Sequence, residues 1–136
     1  MRAINKIVVH CSDSPDDRDI GFLEIDSWHK DRGWKSPSGV HCGYHFMIRR
    51  NGTVEVGRMV NEIGAHVEGE NADSVGVCLV GSKDFAAEQF AALRWVVTGL
   101  LAMFPEARVY EHREFESAKR QGKTCPNFDV HKVLEE

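Results

Sequence analysis

The stretch that decides the fold is Ile4-Asn5-Lys6-Ile7-Val8-Val9-His10, close to the N-terminus. It is mostly β-branched and apolar, and it contains neither Gly nor Pro. Such a run predicts a buried central strand that ends at His10. A second apolar run, over 75–80, predicts another buried strand, which Gly81 closes.

Between these strands the sequence predicts a hairpin over 43–56, in which Asn51-Gly52 joins two alternating runs. Asn-Gly favours a tight hairpin turn because both residues tolerate positive φ. A hairpin is antiparallel, whereas strands that alternate with helices pair in parallel, so we expect a mixed sheet. Residues 57–74 show no period and are predicted to form a long functional loop.

Apolar residues at three- and four-residue steps predict two helices. One face of the first helix carries Phe22, Ile25, Trp28 and His29. That helix stops at Gly33, and Trp28 and Trp34 are interpreted as its core anchors. The second helix covers 86–104 and ends before a proline. A charged loop is predicted over 113–124, ahead of a short terminal helix.

Together these elements predict an α/β fold: a single domain over residues 1–136 with a central mixed β-sheet flanked by helices. A net charge of −4 gives no basic footprint, so no nucleic-acid partner is expected. No apolar run approaches the ~18 residues that cross a bilayer, and no export signal precedes the first strand, so no membrane partner is expected. We therefore expect synthesis in the cytoplasm, with the four cysteines as free thiols.

Three candidate metal ligands lie at or beyond predicted strand ends, namely His10, His112 and Cys125. Ligands of α/β sheets gather beyond the carboxyl ends of the strands, where these side chains can meet. Two imidazoles and a thiolate, with a fourth position open to water, suit a catalytic zinc ion. The residues alone leave an alternative open: a buried histidine, a surface histidine and an inert thiol. No short zinc motif is present to decide between the two.

Short blocks along the chain also carry a resemblance. They are Val8-Val9-His10-Cys11-Ser12, Trp28-His29-Lys30-x-x-Gly33-Trp34, Gly43-Tyr44-His45-Phe46-x-Ile48, Asn51-Gly52-Thr53-Val54-Glu55-x-Gly57-Arg58, Gly64-Ala65-His66-x-x-Gly69-x-Asn71, Ser74-Val75-Gly76-Val77-Cys78-Leu79-Val80-Gly81 and Lys123-x-Cys125-Pro126-x-Phe128-Asp129. In this order they resemble the zinc-dependent N-acetylmuramoyl-L-alanine amidases, the family that amidase-type phage lysozymes share with peptidoglycan recognition proteins. The phage lysozyme branch is the nearest in pattern. The resemblance implies the amidase fold and one zinc ion per chain, held by His10, His112 and Cys125.

The resemblance also implies catalytic roles. Tyr44 matches the tyrosine that orients or deprotonates the metal-bound water, and Lys123 matches the lysine that stabilises the oxyanion. The loop from 113 to 124 is longer than in the phage lysozymes, which leaves Lys119 and Arg120 as rivals for the role of Lys123. His45 follows Tyr44 directly, so the two side chains are expected to point to opposite faces.

His66 resembles a histidine that lines the substrate groove of the family, and Asn71 falls in the same loop, so both are expected to bind substrate. Each residue has an alternative role, which is to hold its own loop together through side-chain-to-backbone hydrogen bonds. Cys125 favours an enzyme, because inactive members of the family replace this ligand.

The function implied is hydrolysis of the amide between N-acetylmuramic acid and L-alanine of the stem peptide, as in a phage or prophage endolysin. The expected partner is peptidoglycan, reached after release through the inner membrane, and the expected state is a monomer. Two alternatives remain, a catalytically silent peptidoglycan-binding module and a regulatory protein-binding domain on the same fold.

Overall fold

A computed structural model describes residues 1–136 as five strands and four helices. The strands are β1 (Lys6–Cys11), β2 (Phe46–Ile48), β3 (Val54–Val56), β4 (Ser74–Leu79) and β5 (Arg108–Glu111). The helices are α1 (Phe22–Asp31), α2 (Ala87–Met103), α3 (Glu116–Arg120) and α4 (Val130–Leu134). None of these helices combines the length and the apolar character that a bilayer-spanning segment needs.

The five strands form one sheet in the order β3-β2-β4-β1-β5. Strand β1 pairs in parallel with β4 on one side and with β5 on the other, and β2 pairs in parallel with β4. Only the hairpin partner β3 is antiparallel. The predicted mixed sheet is therefore confirmed, although each hairpin strand has only three residues.

The two faces of the sheet carry different layers because side chains alternate along each strand. Ile7 and Val9 of β1 point into a core of 14 buried residues that includes the apolar face of α2. The opposite face packs against α1 through a second core of six buried residues, which includes Ile25. His10 lies on this second face, because it alternates with Val9. Helices on both faces give the three-layer α/β architecture that was expected.

The segment 113–124 differs from the loop that the sequence predicts. It contains α3, preceded by a 3-10 turn at His112–Glu114. Ser117 and Ala118 of this helix are buried, and the Ser117 hydroxyl donates to the carbonyl oxygen of Glu68 at 3.0 Å. So short a helix has no apolar period of its own, and contacts with the 57–74 loop stabilise it instead.

A matched pair of leucines tests how far the core stabilises the fold. Leu93 on α2 is fully buried, whereas Leu23 on α1 is 79% exposed. Replacing Leu93 by Ala should lower the free energy of unfolding by about 2 to 5 kcal/mol, because it removes packed methyl groups and leaves a cavity. Leu23→Ala should change it by less than about 0.5 kcal/mol. Urea denaturation of both variants makes the comparison, and equal losses would contradict the assigned core.

Candidate active site

Strand pairing brings two of the candidate ligands side by side. The parallel register of β1 and β5 pairs Val9 with Glu111, so the residues that follow, His10 and His112, are neighbours. Their Nδ1 atoms lie 3.2 Å apart. Cys125, in the loop between α3 and α4, completes the group, and the three ligand atoms all lie within 4.8 Å of one another.

This donor set fits a zinc ion. Tetrahedral zinc with Zn–N bonds of about 2.0–2.1 Å separates two nitrogen ligands by about 3.3 Å, close to the spacing of the two imidazoles. Burial lowers the pKa of His10 well below its ordinary value of 6.5. Burial, with a smaller contribution from Lys123, lowers the pKa of His112 to about 4. Both imidazoles are therefore neutral at pH 7, as metal ligands must be.

The third donor is held by the end of β1. The backbone N–H of Cys11 donates to Sγ of Cys125 at 2.9 Å, a contact that favours a thiolate. In the metal-free site, the contact with the Cys11 side chain and burial raise the pKa of the Cys125 thiol. Metal binding at this site must therefore displace a proton from Cys125.

Tyr44 borders the same point. The centroid of its ring lies 5.1 Å from that of His10 and 5.4 Å from that of His29. Burial raises the pKa of the Tyr44 hydroxyl well above 10.0, so at neutral pH the phenol is a hydrogen-bond donor. His45 is engaged elsewhere: its Nδ1 accepts from the N–H of Gly76 at 3.0 Å, and its ring lies edge-on to that of His66, with 5.9 Å between the centroids. The opposite orientation of the Tyr44 and His45 side chains stays a prediction.

A polar cleft with two lobes lies beside the candidate ligands. His112 and Cys125 line it, whereas His10 is buried and lines neither lobe. Both lobes are lined by His29, Arg32, Tyr44, His112, Gln121 and Lys123. The first lobe adds Cys11 and Cys125, and the second adds His66 and Asn71. His112 thus lies where the two lobes meet, and an extended substrate could pass on either side of it.

Lys123 and Arg32 are the two cations that line the cleft, and Lys123 is the one close enough to His112 to contribute to lowering its pKa. No carboxylate lies within ion-pairing distance of its ammonium group. Lys119 and Arg120, both in α3, line neither lobe. The position of Lys123 therefore separates it from the two rivals that the sequence leaves open.

His66 and Asn71 reach the cleft with most of their polar atoms already engaged. Oδ1 of Asn71 accepts the backbone N–H groups of His66 and Val67, each at 2.9 Å. Nδ1 of His66 lies 2.8 Å from Nε2 of His10, and its Nε2 lies 3.1 Å from the hydroxyl of Ser74. The loop-holding alternative is thus observed for Asn71, while contact of either residue with substrate stays a prediction.

Three lining residues were not assigned to a site by the sequence. Trp28, expected in the core, is 40% exposed and lines the first lobe, because it lies one position off the buried face marked by Ile25 and His29. His29 lines both lobes; its Nδ1 accepts the N–H of Gly43 at 2.7 Å, which leaves Nε2 as a donor. Arg32 lies over the ring of Trp34, 5.1 Å from its centroid. The Trp28-His29 block was a usable signal for the first two residues.

The two imidazoles and the thiol that converge beside the polar cleft are a donor set that could hold a catalytic zinc ion. Residues 1–128 match the family model described as N-acetylmuramoyl-L-alanine amidase, and the chain belongs to that family. The family predicted from the sequence blocks is therefore confirmed.

Curated and solved proteins agree with this assignment. The endolysin of Enterobacteria phage K11 is 40% identical over 134 residues, which cover 93% of this chain and 82% of the relative. The N-acetylmuramoyl-L-alanine amidase LysC from Clostridium intestinale matches with a TM-score of 0.81 at 28% identity, over 98% of this chain and 85% of that one. A complex of peptidoglycan recognition proteins LCa and LCx bound to tracheal cytotoxin shares the fold, with a TM-score of 0.77 at 21% identity, over 100% of this chain and 83% of that one.

Burial of His45 makes the stability of the fold depend on pH. Burial lowers its pKa from 6.5 to about 4, so the unfolded chain takes up a proton before the folded chain does. The contribution of neutral His45 to the free energy of unfolding is complete above pH 6.5. It is lost as the pH falls towards 4, with a slope of about 1.4 kcal/mol per pH unit.

Urea denaturation of the metal-free protein between pH 7 and pH 5 measures this slope. The His45→Gln variant should lose stability less steeply than the parent as the pH falls. An unchanged slope in His45→Gln would contradict the assignment.

Proposed function

We propose that this chain is a zinc-dependent amidase that hydrolyses the bond between the lactyl group of N-acetylmuramic acid and L-alanine of the stem peptide. The observation that carries the proposal is the convergence of His10, His112 and Cys125 within 4.8 Å, in a chain of the N-acetylmuramoyl-L-alanine amidase family. A zinc ion bound there supplies a Lewis acid and a water molecule whose pKa falls to about 7.

The remaining residues surround the place where charge develops. Attack on an amide produces a tetrahedral oxyanion, which a fixed cation stabilises strongly in a partly dry cleft. Lys123 is the candidate for this role because it borders His112 and has no acidic partner. Tyr44, a neutral phenol whose ring centroid lies 5.1 Å from that of His10, is the candidate to orient the attacking water by a hydrogen bond.

The cleft suits a substrate that extends to both sides of the scissile bond. Its two lobes meet at Tyr44, His112 and Lys123, so a sugar in one lobe and a peptide in the other would place their linking amide beside the ligands. His66 and Asn71 in the second lobe are proposed to border the substrate.

The biological setting is proposed from the relatives. The K11 relative is a phage endolysin, and it is matched over most of its length. We infer that this chain likewise acts on peptidoglycan, as a monomer, after a separate event releases it through the inner membrane. The silent binding module is disfavoured because Cys125, Tyr44 and Lys123 are all present around one point.

The first test is the zinc content of freshly purified protein. We expect one zinc ion per chain in the parent and less than a tenth of that in Cys125→Ser after dialysis, because a hydroxyl is a far weaker zinc ligand than a thiolate. Cys42→Ser is the matched control: Cys42 is buried away from the cleft, and a serine hydroxyl can donate to the same Tyr44 carbonyl. Equal zinc contents in the two variants would overturn the ligand assignment.

The second test separates the lysines. Lys123→Ala should lower kcat for release of stem peptide from muramyl peptides by about 10²–10³, the effect of losing one oxyanion donor. Lys119→Ala, which removes an exposed lysine outside the cleft, should lower kcat by less than about twofold.

Mass spectrometry of the released peptide measures both rates. A similar loss in both variants would refute the specific role of Lys123. If zinc-loaded parent binds muramyl peptides but releases no peptide, the chain is a silent binding module instead.

A further inference from the structure

A chain of hydrogen bonds leads from a backbone carbonyl to the metal site. The Ser74 hydroxyl donates to the carbonyl oxygen of Glu70 at 2.7 Å. A serine hydroxyl has only one hydrogen, so at its 3.1 Å contact with Nε2 of His66 it must accept. Nε2 of His66 therefore carries the proton of that ring.

The same logic continues to the ligand. His66 is buried, only 9% exposed, and no carboxylate contacts it, so its imidazole is neutral and its Nδ1 is an acceptor. Nε2 of His10, 2.8 Å away, must then donate to His66. Because a neutral imidazole carries one N–H, this leaves the lone pair of His10 on Nδ1, the nitrogen 3.2 Å from Nδ1 of His112.

The ring of His66 occupies a slot that the backbone keeps open. A Cβ atom on Gly76 of β4 would lie 2.8 Å from Cγ of His66. A Cβ atom on Gly64 would lie 2.8 Å from Cδ2 of the same ring. Glycines on two sides, together with the hydrogen bonds at both ring nitrogens, fix the orientation of this imidazole.

We propose that His66 is a positioning residue for zinc, because it fixes the tautomer and the orientation of His10 through the Glu70–Ser74–His66 hydrogen-bond chain. This role goes beyond contact with substrate, and it rests on the proposed function only in that His10 binds zinc. Ligating histidines usually donate their second ring N–H to a partner, and losing that partner costs about 10–100-fold in metal affinity.

Zinc affinity measured by competition with a chromophoric chelator tests the proposal without any activity assay. His66→Leu keeps a similar volume but can neither accept from His10 nor donate to Ser74, so zinc should bind about 10–100-fold more weakly. His66→Gln offers a carbonyl to His10 and an amide N–H to Ser74. Its zinc affinity should therefore return to within about fivefold of the parent value.

Two controls accompany these variants. His41→Leu, which removes a histidine outside the hydrogen-bond chain, should bind zinc as the parent does. Urea midpoints of all variants in chelator show whether a loss of affinity follows from unfolding. Parental affinity in a folded His66→Leu, or no recovery in a folded His66→Gln, would overturn the proposal.

The tautomer of His10 is read directly in the metal-free protein by long-range ¹H–¹⁵N correlation NMR. We expect the proton on Nε2 in the parent, and a mixture of tautomers in His66→Leu. A proton on Nδ1 in the parent would overturn the proposal even if zinc binds. Because this readout needs no zinc, a parent that binds no zinc would refute the proposed function separately.

Discussion

The pairing of β1 with β5 is the constraint on which the site depends. Residues 9 and 111 are partners in a parallel register, and this register sets His10 and His112 side by side. A slip of one residue would send either imidazole to the opposite face of the sheet. The buried cores on both faces hold that register, and the geometry of the two nitrogen ligands therefore depends on ordinary packing.

Around this pair the structure adds groups that come from distant parts of the chain. Cys125 approaches from the loop before α4 and is tied to β1 by the N–H of Cys11. The 57–74 loop contributes His66, which contacts the far nitrogen of His10. The N–H of Cys11 contacts Sγ of Cys125, and Nδ1 of His66 contacts Nε2 of His10. The candidate ligands are therefore themselves held by surrounding groups.

The sequence could predict the parts of this arrangement that leave a local pattern. The run ending at His10 and the Asn51-Gly52 turn predicted three strands, β1, β2 and β3, and the mixed sheet. Strand ends alone suggested that His10, His112 and Cys125 could meet, while the roles of Tyr44 and Lys123 needed the family blocks. The sequence could not separate Lys119 and Arg120 from Lys123 as candidates for stabilising the oxyanion. The structure does, because Lys123 lines the cleft and the two residues of α3 do not.

Other features leave no such pattern. Helix α3 forms through contacts with a loop some 50 residues earlier, and helical spacing cannot reveal that. Trp28 lies one position away from the buried face of α1, and apolar spacing alone resolves so small an angular difference poorly. The His66–Ser74–Glu70 chain depends on the directions of individual donors, which residue types do not disclose.

The central claim, that two imidazoles and one thiolate of this chain hold the ion, is tested most directly by zinc K-edge X-ray absorption on the zinc-loaded protein. The account predicts one sulfur at about 2.3 Å and two imidazole nitrogens at about 2.0–2.1 Å. A spectrum with no sulfur ligand would contradict the role of Cys125, and a spectrum with two would place Cys11 in the site as well.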